Sequence, residues 1–205
     1  MSYRLFIVVL VSLHLTGCMA LFSSPSTLDY QVDRQLLWQE RQTILRHLSQ
    51  WEVRGRTAVN QGNTAWQAGL NWQESPLSYR IRIMGPFSQG GVKIDGNRQQ
   101  VVLTTNDGRQ LTAGSAEQLL REHYQLDLPV SALRDWIRGL PHPGLPTQGI
   151  DLNPLGQITL LKQQDWVIEY PRYIPYDTMT MPKKLLITHP KLSLKIIINR
   201  WYDVR

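Results

Sequence analysis

The residue best placed for covalent chemistry is Cys18, the only cysteine among 205 residues. A single cysteine cannot form a disulfide within its own chain, so it is a buried thiol, a reactive thiol or an attachment point. A mostly apolar segment, residues 5–16, precedes it. That segment is too short to cross a bilayer, which takes roughly 20 residues, but it suits the apolar region of a secretory signal.

The four residues Leu15, Thr16, Gly17 and Cys18 resemble the bacterial lipobox, in which the cysteine thiol is acylated and becomes the mature N-terminus. An ordinary signal peptide with a chance cysteine is the alternative. In lipoproteins an aspartate after the cysteine favours the inner membrane, whereas Met19 here favours the outer membrane. Two or more acyl chains would hold the protein firmly in that membrane.

These features predict three parts: a signal peptide that is removed (1–17), a lipidated N-terminus with a polar tether (18–32) and a single folded domain (33–205). The chain is basic, with 22 Lys and Arg against 16 Asp and Glu. An exported, tethered protein rarely meets nucleic acid, so we expect no nucleic-acid partner and a weak attraction to outer-membrane lipid headgroups. We also expect a monomer whose fold is stabilised by packing without disulfides.

Residues for catalysis or metal binding are sparse. Of the five histidines, His14 lies in the signal and the others are scattered without the spacing of metal ligands. A nucleophile elbow, a phosphate-binding glycine loop and a zinc-protease helix are missing from the sequence. Glu117 and Asp135 are predicted in first helical turns, where a negative charge favours the helix dipole. We therefore predict a binding protein without catalytic residues, metal or cofactor.

Alternation with a period of two predicts the strands. Residues 77–83 place apolar side chains at every second position, between Ser78, Arg80 and Arg82. The same period appears in residues 51–59, 65–73, 166–170 and 192–201, and turn signals stand at 95–97, 106–108 and 153–156. Many short strands of this kind favour an antiparallel sheet that curls into a sandwich or a barrel.

Three helices are predicted among the strands. Residues 33–48 carry apolar side chains at helical spacing, and Ser115 with Gln118 forms a capping box. Ser131 is predicted to cap a third helix that ends near Gly139. Its apolar stripe either fills one end of the sheet as core or covers a cavity.

The segment GPFSQGG, residues 85–91, separates two predicted strands and contains one apolar side chain, Phe87. That side chain either folds back onto the core or forms an exposed finger that touches a membrane or a lipid.

The segment SALRDWIRGLPHPG, residues 131–144, resembles the signature of the LolB family, the outer-membrane receptors of the lipoprotein localisation pathway. Further matches are Arg54-Gly55, Trp72-Gln73, Tyr79-Arg80 and Asn199-Arg200-Trp201, so that the resemblance spans residues 45–204. It implies a mostly β fold with an α lid: an unclosed antiparallel β-barrel around an apolar cavity, covered by short helices.

The resemblance also implies a function. A protein of this family accepts client lipoproteins from the periplasmic carrier LolA into the cavity and inserts them into the inner leaflet of the outer membrane. The alternative is a tethered stress sensor or scaffold that binds acyl chains on a similar fold without passing them on.

Site residues follow from the resemblance and the alternation. Pro86 and Phe87 occupy the place of the family's protruding loop, although the family pattern there is closer to Asn-Pro-Leu-Gly. Those letters occur instead at 153–156, which we interpret as an ordinary turn. The predicted cavity lining is Tyr79, Ile81, Ile83, Val92, Ile94, Leu103, Leu133, Trp136 and Ile137.

Overall fold

The computed structural model describes residues 27–85 and 90–205, with side chains from residue 33 onward. Cys18, Pro86 and Phe87 lie outside the described residues, as does the predicted signal peptide. Residues Arg34–Arg205 form a compact unit that contains the whole sheet.

Three helices and eleven strands make up the described chain. In chain order they are α1 (Thr27–His47), β1 (Trp51–Gln61), β2 (Thr64–Ser75), β3 (Ser78–Met84), β4 (Gly91–Asn97), β5 (Val101–Thr105), β6 (Gln110–Ala113), α2 (Ala116–Tyr124), α3 (Val130–Trp136), β7 (Thr147–Leu152), β8 (Ile158–Gln163), β9 (Trp166–Tyr176), β10 (Met179–His189) and β11 (Leu192–Tyr202).

All strands belong to one antiparallel sheet in the order β6-β5-β4-β3-β2-β1-β11-β10-β9-β8-β7. The two edge strands, β6 and β7, are consecutive in the chain, and the segment that joins them contains α2 and α3. The predicted fold class, an unclosed antiparallel barrel with short helices, is confirmed.

The first and last strands pair in the middle of the sheet. The β1–β11 ladder runs from Glu52 opposite Tyr202 to Asn60 opposite Ser193, with a register shift between Arg54 and Gly55. A Cβ at Gly55 would overlap the carbonyl oxygen of Ile197, so this bulge needs a residue without a side chain.

The two faces of the sheet differ in chemistry because the side chains alternate. In β1 the side chains of Val53, Thr57 and Val59 are buried, whereas Arg54 and Arg56 are exposed. The inner faces of the strands form one apolar core with the helices. At one end of that core the Trp51 ring packs on two other tryptophan rings, at 5.4 Å and 5.8 Å between centroids.

One of the three predicted turns is wrong. Residues Asp95, Gly96 and Asn97 belong to β4, and the chain turns after them. Gly96 lies in the strand because the Tyr79 ring, opposite it on β3, occupies the space that a Cβ would take. The turns at 106–108 and 153–156 are confirmed.

The helix starts were predicted in part. Ser115 caps α2 as predicted, and its Oγ accepts a hydrogen bond from the Gln118 backbone N–H at 3.2 Å. Ser131 does not cap α3, because the helix begins at Val130 and its N-cap is Pro129, two residues before Ser131. The Ser131 backbone N–H instead donates a hydrogen bond to Glu117 Oε1 of α2 at 2.7 Å. No helix in the described part of the chain is long and apolar enough to span a membrane.

Candidate ligand-binding cavity

A cavity of about 980 Å³ lies between the inner face of the sheet and the segment that carries α2 and α3. Most of its lining is apolar. The strands contribute Val59, Ala68, Leu70, Trp72, Ile81, Ile83, Val92, Ile94, Leu194 and Ile196, and the helical segment contributes Leu120, Leu126, Leu128, Val130 and Leu133. Its size matches the upper range of pockets that enclose small organic ligands.

Five of the nine residues predicted for the cavity line it: Ile81, Ile83, Val92, Ile94 and Leu133. The first four are cross-strand neighbours on β3 and β4, where Ile81 pairs with Ile94 and Ile83 pairs with Val92. Their alternation along the strands places all four on the same face. Leu133 approaches from α3 on the other side.

The other four predicted residues are not part of the described cavity lining. Tyr79 shares the inner face of β3 but lies farther along the strand, across Gly96 and beneath the Arg134 guanidinium, whose Cζ is 4.8 Å from the ring centroid. Burial raises the pKa of Tyr79 to about 12, although Arg134 acts in the opposite direction.

Leu103, Trp136 and Ile137 are completely buried in the core instead. The Trp136 ring packs against Trp166 at 5.5 Å between centroids. In the seven-residue helix α3, Val130 and Leu133 meet the cavity, while Trp136 at the C-terminal end enters the core. These positions correct the sequence-based lining.

The cavity entrance is polar, and the sequence analysis missed it. Gln61, Thr64, Asn106, Asp107, Tyr124 and Gln125 line the cavity at the ends of β1, β2, β5 and α2. Gln61 Nε2 donates to the Gln125 carbonyl oxygen at 2.7 Å, which joins the β1 end to the α2 end. These residues lie at the ends of elements or in the turns beside them, where the periodicity stops, so no sequence pattern marked this entrance. An apolar interior with a polar entrance suits an amphiphilic ligand.

Gln163 fastens the segment after α3 to the sheet. It is completely buried, and its amide oxygen accepts hydrogen bonds from Trp136 Nε1 and the His142 backbone N–H, both at 2.8 Å. Its amide nitrogen donates to the carbonyl oxygens of His142 and Leu145 and to Thr147 Oγ1. This one side chain therefore satisfies the polar groups on which the Trp136 position depends.

A second contact fastens α3 to β2. Arg134 Nε lies 3.1 Å from Glu74 Oε2, and the same oxygen accepts a hydrogen bond from Trp72 Nε1 at 3.2 Å. Burial raises the pKa of Glu74, although Arg134 and the Trp72 hydrogen bond act in the opposite direction. Since Trp72 lines the cavity, the helix and the cavity wall share one hydrogen-bonded carboxylate.

Arg138 joins this segment to α1. Its Nη1 donates to the carbonyl oxygens of Leu45 and Leu48, at 3.1 Å and 3.0 Å, and its Nη2 donates to Asp135 Oδ1 at 2.6 Å. Asp135 therefore serves an ion pair at the end of α3, not the first turn predicted from sequence. Among residues 33–85 and 90–205, no three His, Cys, Asp or Glu side chains group as metal ligands.

Fold and site together define a class of protein: a half-barrel of antiparallel strands that encloses an apolar cavity beneath helices. Comparison with known proteins makes the class specific. The family described as outer membrane lipoprotein LolB matches residues 49–201. The outer-membrane lipoprotein LolB of Nitrosococcus oceani is 37% identical, over 97% of this chain and 96% of the relative. That of Chromohalobacter salexigens is 34% identical, over 94% and 87%.

Among solved structures, a LolA superfamily protein from Nitrosomonas europaea is similar to this chain. Its TM-score is 0.47, with 12% sequence identity over 84% of this chain and 94% of that one. The family match and the curated relatives show that this chain belongs to the LolB family of outer membrane lipoproteins. The resemblance found in residues 131–144 is confirmed, and with it the outer-membrane location and the role in lipoprotein localisation.

Proposed function

We propose that this protein accepts lipoproteins from the periplasmic carrier LolA, holds their acyl chains in the cavity and delivers them to the inner leaflet of the outer membrane. The observation that carries the proposal is the apolar cavity of about 980 Å³ beneath α2 and α3, in a chain of the LolB family. The proposal needs no cofactor and no catalytic residue.

The free energy of acyl-chain exposure explains why a cavity is needed. Each methylene exposed to water costs about 0.8 kcal/mol, so one long acyl chain costs on the order of 10 kcal/mol. A handover must therefore keep the chains covered, from the carrier's cavity to this one. Transfer runs forward if this cavity binds the chains more tightly than the carrier does, and each 1.4 kcal/mol of difference gives about a tenfold preference.

Acylation of Cys18 is the proposed anchor. It would keep the protein at the membrane to which its clients are delivered, because two or more acyl chains bind a bilayer firmly. Replacement of Cys18 by alanine should release the protein from the outer membrane without affecting the cavity, which is formed by residues 57–196. Fractionation of membranes from soluble periplasm measures this directly.

Phe87 is the proposed contact with the membrane during release. It belongs to the segment 86–89, outside the described residues, between Gly85 and Gly90, whose backbones are joined by a 2.9 Å hydrogen bond. Both glycines line the cavity. A segment that begins and ends at the cavity is suited to the step in which the client leaves it.

The acceptance step can be tested by filling the cavity. Val92→Trp places a large side chain inside it, whereas Val102→Trp adds the same ring on the outer face of the neighbouring strand, beside Arg80 and Gln73. We expect the first variant to bind a pyrene-labelled fatty acid about tenfold more weakly, a loss of ~1.4 kcal/mol, and the second to bind normally. With LolA loaded with a lipoprotein, the first variant should leave the client on the carrier. Normal acceptance by Val92→Trp would contradict the proposal.

The release step can be tested at Phe87. Phe87→Glu should accept a lipoprotein from LolA and fail to pass it to vesicles, because a carboxylate does not enter the apolar part of a bilayer. Phe87→Leu is the matched control and should deliver normally. Equal loss of acceptance and delivery in Phe87→Glu would disprove this division of roles.

A further inference from the structure

Three exposed cations, Arg56, Arg82 and Lys195, lie on the outer face of the sheet. Each alternates with residues that line the cavity: Thr57, Ile81 or Ile83, and Leu194 or Ile196. Their side chains therefore point away from the cavity. None of the three forms an ion pair with another described residue, in contrast to Arg80, which pairs with Asp95 at 2.5 Å.

The strand register brings the three cations into one patch, called here the basic face. Arg56 of β1 pairs with Gly69, Gly69 pairs with Met84, and Met84 is two residues from Arg82 on β3. On the other side, Lys195 of β11 pairs with Ala58, two residues from Arg56. Arg56, Lys195 and the exposed Met84 also line one groove. Four further cations occupy neighbouring positions: Arg54, Lys93, Lys184 and Arg200. The same region contains three acids, Glu52, Asp95 and Glu169, so that cations outnumber acids on this surface.

The basic face lies on the outer side of the same strands whose inner side lines the cavity. Met84 is followed directly by Gly85, which lines the cavity, and Arg56 lies on the strand that ends at Gln61 of the entrance. A surface bound through these cations would therefore lie against the sheet that forms the cavity wall, on the side opposite the cavity.

We infer that the basic face binds the headgroups of anionic phospholipid in the membrane to which the protein belongs. Guanidinium and ammonium groups suit phosphate oxygens, and Arg and Lys near an anionic surface each strengthen binding about fivefold. A protein partner is less suited, because the core of a protein interface is depleted of charge and enriched in aromatic side chains. Among the described residues that line its groove, Met84 and Trp66 are the exposed large apolar side chains, and only Met84 alternates onto the same face as the cations. Receipt of clients from LolA does not depend on this inference.

The test uses the chain from residue 19 onward, which lacks the predicted signal peptide and the proposed acylation site and keeps the whole compact unit Arg34–Arg205, and vesicles of phosphatidylethanolamine with or without phosphatidylglycerol. Three forms are compared: the parent, R56Q/R82Q/K195Q, and R46Q/R98Q/R121Q. The last removes equal charge from exposed arginines of α1, the β4–β5 turn and α2. Co-sedimentation at low and at high salt gives the partition coefficients, and thermal unfolding verifies the fold.

The parent should bind vesicles with phosphatidylglycerol at low salt and lose most of this binding at high salt. R56Q/R82Q/K195Q should bind about a hundredfold more weakly, as expected for three losses of about fivefold each. The control R46Q/R98Q/R121Q should bind less than about threefold more weakly. R56K/R82K, which keeps both charges, should bind like the parent. Equal losses in both triple variants would show an effect of net charge and overturn the inference. Unchanged vesicle binding in R56Q/R82Q/K195Q would overturn it too, and would point to the carrier as partner if that variant no longer received lipoprotein from LolA.

Discussion

At the scale of the residue, Gln163 has the largest number of buried polar partners described above. Gln163→Leu would leave the Trp136 indole N–H, the His142 N–H and two carbonyl oxygens without their hydrogen bonds. Each buried polar group without a partner costs about 1–3 kcal/mol, so we expect the loss of four partners to lower the free energy of unfolding by at least about 4 kcal/mol. Urea denaturation measures the change.

Gln148→Leu is the matched control for this prediction. Gln148 is exposed, and its amide donates one hydrogen bond, to the carbonyl oxygen of Gln164. Its substitution should change the free energy of unfolding by less than about 0.5 kcal/mol. Similar losses in the two variants would show that the Gln163 network does not hold the segment in place.

Residue positions were predictable where the alternation alone decides them. Ile81, Ile83, Val92 and Ile94 line the cavity because period two assigns each to a face. The same period could not tell that Tyr79 lies too far along the strand, since periodicity specifies the face and not the distance from the cavity. The sequence did not indicate that Gln163 is buried and hydrogen-bonded, because polar residues beside turns are common and are usually exposed.

At the scale of the element, the two serines expected to cap helices differ in the structure, and this difference can be measured. Ser115→Ala removes the hydrogen bond to the Gln118 N–H and should cost about 1 kcal/mol of stability. Ser131→Ala should be neutral or slightly stabilising, because Ser131 is exposed inside α3 and alanine favours the helix. Thermal unfolding of the two variants distinguishes them, and a cost at Ser131 equal to that at Ser115 would contradict the assignment.

The existence of most elements followed from the sequence, while some of their ends did not. The α3 start was wrong because Glu117, a residue of another helix, accepts the Ser131 N–H that a local cap would otherwise satisfy. A contact between two helices lies beyond local patterns. The turn predicted at residues 95–97 was wrong for a similar reason. Gly96 is a glycine because the Tyr79 ring of the neighbouring strand occupies the space of a Cβ, not because the chain turns there.

At the scale of the whole molecule, the pairing of β1 with β11 depends on the bulge at Gly55. Gly55→Ala would place a methyl group against the Ile197 carbonyl oxygen and should lower the free energy of unfolding by about 3 kcal/mol. Gly149→Ala is the control: it lies in edge strand β7, where the nearest atom to an added Cβ is Lys162 Cδ at 4.0 Å. It should change stability by less than about 0.5 kcal/mol. Equal effects would show that the bulge is not specific for glycine.

The strand order could not be obtained from alternation. The patterns of residues 51–59 and 192–201 predict two strands, but nothing in either segment states that the two are neighbours. Alternation alone left a sandwich and a barrel open, and the resemblance of residues 131–144 to the LolB family selected the unclosed barrel. Pairing of β1 with β11 is a long-range property that only the complete chain specifies.

That central pairing has a consequence for folding during export, which proceeds from the N-terminus. Strands β1 to β6 and strands β7 to β10 are each joined to neighbours in the chain, so both groups can form before β11 has crossed the inner membrane. Until then, β1 and β10 have unpaired edges that can recruit other chains. Since β11 also supplies Leu194 and Ile196, the cavity is complete only when the final strand has been translocated.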